Sequence, residues 1–164
     1  MEQNKIKCRA EVSHRLGSLS EHYESGGRGA GAVSGGQGDP GGISYGLYQL
    51  SSSTGTAADF VKNEGARWAG ELTDVPGSQG FSAAWRAIAA RDGEQFADAQ
   101  QAFITRSHYR PVVQAVHAAT GHDLDARPDA VRDACWSAAV QHAAAARLLI
   151  GAVGDADTCA GRGT

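Results

Sequence analysis

The chain has 164 residues, 22 of them glycine, a formal net charge of −3 and a pI near 6.0. That length suits one domain with a real core, and its scattered Lys and Arg form no basic stripe of the kind that nucleic acid requires. No stretch reads as a transmembrane span, and residues 1–8 hold no apolar run for a secretory signal, so export by another route is expected.

Residues 1–17 are polar and mixed, a linker or a leading helix. Ser18 with Glu21 forms a capping-box pattern that starts a short helix over residues 19–25, with Leu16, Leu19 and Tyr23 on one face; Gly26 and Gly27 stop it. Glu24 then falls in the last turn, where unpaired carbonyls disfavour a carboxylate and raise its pKa. A carboxylic acid still protonated near neutral pH is what glycosidic cleavage uses. The glycine-rich stretch 26–46 excludes a regular helix and is expected to be a loop or twisted hairpin, carrying a second carboxylate, Asp39, before Pro40. Residues 43–50 read as a strand on which Tyr45 and Gln49 share a face and Tyr48 points away, toward the core. Tyr45 and Gln49 thus offer an aromatic face and an amide to a sugar. The plainer readings at this point are a solvated Glu24 and an Asp39 that only forms a turn.

Three motifs are set aside. Gly36-Gln37-Gly38-Asp39-Pro40-Gly41 fits a dinucleotide pattern, but no parallel strand precedes it and no helix opens after it. His22-Tyr23-Glu24 lacks the Pro-Cys-x-x-Cys partner of zinc deaminases, and His117 and His122 are one residue out of step with a helical metal pair. Cys8, Cys135 and Cys159 have no C-x-x-C spacing and read as unpaired or structural thiols, with a bridge between one pair in an oxidising compartment as the alternative. No metal or other cofactor is expected.

Further on, Ser51, Ser52, Ser53 and Thr54 offer caps for a helix over residues 56–63 that buries Ala57, Phe60 and Val61. Trp68 and Leu72 follow in a less regular connection. Residues 81–88 give the clearest amphipathic signal, with Trp85 on the apolar stripe, and Phe96, Ala99, Phe103 and Ile104 continue that face to a turn before Pro111. Pro111 suits the first position of a helix that carries Val112, Val113 and Val116 and ends at Gly121. Residues 128–150, rich in alanine, read as one helix through the middle of the core, and residues 151–164 as a frayed tail. The fold class is mainly α, about six or seven helices with a small β-hairpin.

Tyr23-Glu24-Ser25-Gly26-Gly27, Gly38-Asp39-Pro40-Gly41-Gly42 and Ser44-Tyr45-Gly46-Leu47-Tyr48-Gln49 together resemble the lysozyme-like muramidase domain of type VI secretion spike proteins and effectors, with relatives in phage lysis and tail proteins. The likeness continues through Phe103-Ile104, His108-Tyr109-Arg110-Pro111 and Trp136-Ser137-Ala138-Ala139-Val140-Gln141-His142. It implies a lysozyme-like catalytic domain over residues 18–153, with a linker or leading helix before it and a flexible tail over residues 154–164. It also implies a sugar-binding cleft, and hydrolysis of the β-1,4 bond between N-acetylmuramic acid and N-acetylglucosamine, with Glu24 as general acid and Asp39 as second carboxylate. Tyr109, Trp136, Gln141 and His142 match the family's motifs and join Tyr45 and Gln49 as substrate-binding candidates, although a Trp or His within a helix serves packing as often. The implied partners are peptidoglycan glycan strands, a cognate immunity protein, and a secretion spike or phage protein that carries the domain to the wall. A lytic transglycosylase and a chitinase-like glycosidase are the rival enzymes on this scaffold. An inactive wall-binding module is the rival outside enzymes.

Overall fold

The computed structural model describes Leu16 and residues 29–35 and 42–160, with side chains to residue 154. The expected helix over residues 19–25, Glu24, Asp39, Cys8 and most of the leading segment lie outside the described residues.

A two-stranded antiparallel hairpin, β1 (Ser44–Tyr45) and β2 (Leu50–Ser51), precedes α1 (Thr56–Lys62), a 3₁₀ turn (Ala66–Trp68) and α2 (Gln79–Ile104). A π-helical segment (Thr105–Tyr109) leads into α3 (Arg110–Thr120), followed by α4 (Asp129–Gln141) and α5 (Ala145–Ala160). The described residues are mainly helical with one small sheet, in line with the sequence. None of its described helices is long and apolar enough to cross a membrane.

The centre of the core is α2. Ser78 caps it by accepting the Phe81 N–H at 3.1 Å, and it buries Phe81, Trp85, Ile88, Phe96, Phe103 and Ile104. The Trp85 ring is the hub, with Phe96, Tyr45 and Phe60 centroids at 4.6, 5.2 and 5.4 Å. The alanine-rich C-terminal stretch does not hold that place, because alanines count as apolar but bury little area. At Asp92 the helix kinks (φ −119°, ψ 33°). There the carboxylate accepts the Trp68 indole N–H at 2.8 Å and pairs with Arg91. Arg91, and after it Trp68, hold this carboxyl below its usual range.

Between α2 and Pro111 the expected turn is absent. Proline has no N–H and its ring crowds the carbonyl four residues back, here that of Ser107, and the wider π turn ending at Tyr109 passes that point without breaking the helical path. Pro111 then sits in the first turn of α3, and Gly121, at φ 74°, closes it by donating to the His117 carbonyl at 2.8 Å.

Two expectations at the C-terminal end are corrected. The single helix over residues 128–150 is two, parted at His142, which is extended (φ −126°, ψ 117°), and the break lets Ala145 enter the core. The helix also continues to Ala160 where a tail is expected. Leu149, Ile150 and Val153 pack on the core, and α5 lies against α3 and α4. Tertiary burial of this kind outweighs the roughly 1 kcal/mol that each helical glycine costs.

Candidate functional site

The segment of residues 29–35 runs beside the hairpin as a rudimentary third strand. Val33 bridges Tyr45, Ser34 N–H donates to the Ser44 carbonyl at 2.9 Å, and Gly46 N–H to the Ala32 carbonyl at 2.8 Å. After Gly46 the backbones part. The chain turns over residues 46–49 with Gly46 at φ 71° and Gln49 at φ 53°. A Cβ at Gly46 would stand 2.2 Å from Gln100 Oε1, so glycine is required there by both backbone and space.

Two open hollows flank these segments. One, of about 320 Å³, is lined by Ala32, Val33, Ser34, Gly35 and Gln49. The other, about 540 Å³, lies between Gly29, Ala30, Gly31, Leu47 and the small-residue face of α2, with Arg86 at its rim. Gln49 lines the smaller hollow, from a turn and not from the expected strand. Its amide is steadied by donation to the Gly46 carbonyl at 3.2 Å. A non-glycine residue at positive φ costs free energy and concentrates at functional sites.

Tyr45 takes a different place. The alternation argument assumes one continuous strand, and the turn breaks it, leaving Tyr45 fully buried with its ring on Phe81 and Trp85. Because Ser82 Oγ donates to the Ser78 carbonyl (2.8 Å), the Tyr45 hydroxyl donates to Ser82 Oγ (2.9 Å) and accepts the Gly77 N–H (2.9 Å). No face of Tyr45 is left for a glycan. Tyr45→Phe is accordingly expected to lower stability by about 1–3 kcal/mol, as loss of a buried hydrogen-bond partner does, with glycan affinity unchanged. Urea denaturation beside a binding titration checks both; a parent-like midpoint with weakened binding contradicts it.

The other candidates are spread over the helical part. Tyr109 is buried and donates to Asp125 Oδ1 at 2.8 Å; burial first, and then Asp125, push its phenol pKa up. Trp136 is fully buried and meets the half-buried Tyr48 edge-on at 5.7 Å, joining α4 to the turn. Gln141 and His142 are exposed at the end of α4, Gln141 donating to Ser137 Oγ at 3.3 Å. Of the described candidates, Gln49 lines the smaller hollow, Trp136 backs the turn through Tyr48, and Gln141 and His142 stand on the α4 surface.

Gln100 is the residue that the sequence reading passes over. It is fully buried on α2, donates from Nε2 to the Ala30 carbonyl at 3.1 Å and accepts the Leu47 N–H at 2.9 Å. Trp85 Nε1 donates to the same Ala30 carbonyl at 2.8 Å. The available signal was a polar residue four after Phe96 and three before Phe103, on the apolar stripe itself.

Comparison with known proteins places this small-sheet helical domain in the type VI secretion spike class. Residues 16–162 match the family described as Type VI secretion system spike protein VgrG3-like, C-terminal, and the chain belongs to that family. It is 36% identical over 140 residues to the type VI secretion system spike protein VgrG3 of Vibrio cholerae serotype O1, an alignment covering 84% of this chain and 13% of that relative.

Proposed function

We propose that the domain is a peptidoglycan muramidase carried to the target cell wall by a type VI secretion spike, cleaving the β-1,4 bond between N-acetylmuramic acid and N-acetylglucosamine. The observation that carries this reading is membership of the spike C-terminal family over residues 16–162, a span that includes every motif of the muramidase resemblance.

In this mechanism Glu24 protonates the leaving glycosidic oxygen, and Asp39 either activates water or stabilises positive charge at the sugar carbon. A separation of about 5–5.5 Å between them gives retention, and about 6.5–9.5 Å leaves room for water and gives inversion. Gln49 contacts the glycan from the turn. Delivery places the activity in the target periplasm, where a cognate immunity protein would block the same cleft.

Incubation of the purified chain with purified sacculi tests the reading. Turbidity is expected to fall. Co-sedimentation with sacculi at constant turbidity would make the domain a binding module, and digestion of chitin in place of sacculi would make it a chitinase-like glycosidase.

A further inference from the structure

We infer that Gln100 is a positioning residue, fixing the spacing between the segment 29–35 and the turn 46–49 and with it the width of the hollow that Gln49 faces. The catalytic consequence rests on the muramidase reading; the geometry does not.

The backbone ladder joins these segments at Ser34–Ser44 and Ala32–Gly46 and then ends, because Gly46 turns away at φ 71°. Where the next rung is missing, the Gln100 amide fills the gap, taking the Ala30 carbonyl with its N–H and the Leu47 N–H with its oxygen. A primary amide carries both a donor and an acceptor on one rigid plane, so it can replace a peptide rung. Gln100 lies on the buried face of α2 between Phe96 and Phe103. The Ala30 carbonyl already receives the Trp85 indole N–H at 2.8 Å, so anchoring Ala30 to α2 does not depend on Gln100. What Gln100 adds is the connection from Ala30 to Leu47. Leu47 stands two residues before Gln49, and Ala30 two residues before Ala32, so an error in this spacing passes directly to both walls of the smaller hollow. A buried amide fully satisfied in this way rigidifies its surroundings.

Gln100→Met and Gln100→Glu test the inference. Met keeps the length but leaves the Leu47 N–H without an acceptor. Hydrogen exchange at the Leu47 amide is expected to rise at least about ten-fold, with the Ile88 and Val116 amides as in the parent. On a soluble glycan oligomer kcat is expected to fall about 10–100-fold, the scale of a sub-ångström to ångström misplacement, with KM changed less. The Glu variant supplies both a carbonyl and an O–H when protonated but loses the donor when ionised, so its activity relative to the parent should recover as pH falls. A folded Gln100→Met with parental Leu47 exchange, or with fast exchange and parental kcat, overturns the inference. If Gln100→Met does not fold, a Glu variant whose relative activity is flat with pH overturns it. If the parent cuts no glycan, the muramidase reading fails on its own, and Leu47 exchange still decides whether Gln100 sets the spacing.

Discussion

Glu24→Gln is expected to abolish wall lysis while the domain stays folded, because the amide keeps the shape of the side chain and has no proton for the leaving oxygen. General acid catalysis contributes about 10²–10⁴-fold, so the variant should clear sacculi at or below a hundredth of the parent rate. Sacculus turbidity measured beside a circular dichroism spectrum checks this. A folded variant that clears at the parental rate removes Glu24 from the role of acid. On the proposed muramidase reading, Asp39→Asn is expected to remove most hydrolysis, and near-parental activity of that variant would favour a lytic transglycosylase.

The second large effect concerns the fold that carries the site. Trp85 is fully buried, touches Tyr45, Phe60, Phe81 and Phe96, and donates its indole N–H to the Ala30 carbonyl at 2.8 Å. Trp85→Ala removes the hub of this aromatic cluster and leaves a cavity, at a cost of about 3–5 kcal/mol. Domains of this kind are stable by only about 5–15 kcal/mol in total, so the variant should unfold at a much lower urea concentration. Trp85→Phe should retain more of the packing and lose the bond to Ala30. A Trp85→Ala midpoint within error of the parent would show that the centre of the core lies elsewhere.

Boundaries marked by chemistry were legible in the sequence. Gly121 closes α3 because it tolerates the left-handed backbone of the cap, whereas at Pro111 the expected boundary gives way to a π-helical segment that carries the helix past it. The stripe through Phe81, Trp85, Ile88, Phe96 and Phe103 was legible as periodicity, and it became the core. Features set by tertiary contact were not. Nothing local distinguishes His142-Ala143-Ala144 from a continuing helix; the break there comes with Ala145 entering the core. Strands of two residues are too short for an alternation argument, so the turn at Gly46 and the burial of Tyr45 escaped it. Around the candidate site, Gln49 was legible as a residue to single out. Gln100 was not, since its meaning depends on two backbone groups 53 and 70 residues away in sequence.

The most direct test of the central claim is mass spectrometry of the soluble fragments released from purified sacculi. The muramidase account predicts disaccharide-peptide products ending in a reducing N-acetylmuramic acid, formed with uptake of water. Products ending in the anhydro sugar would contradict it in favour of a lytic transglycosylase, and release of peptides from uncut glycan would contradict glycosidase chemistry altogether.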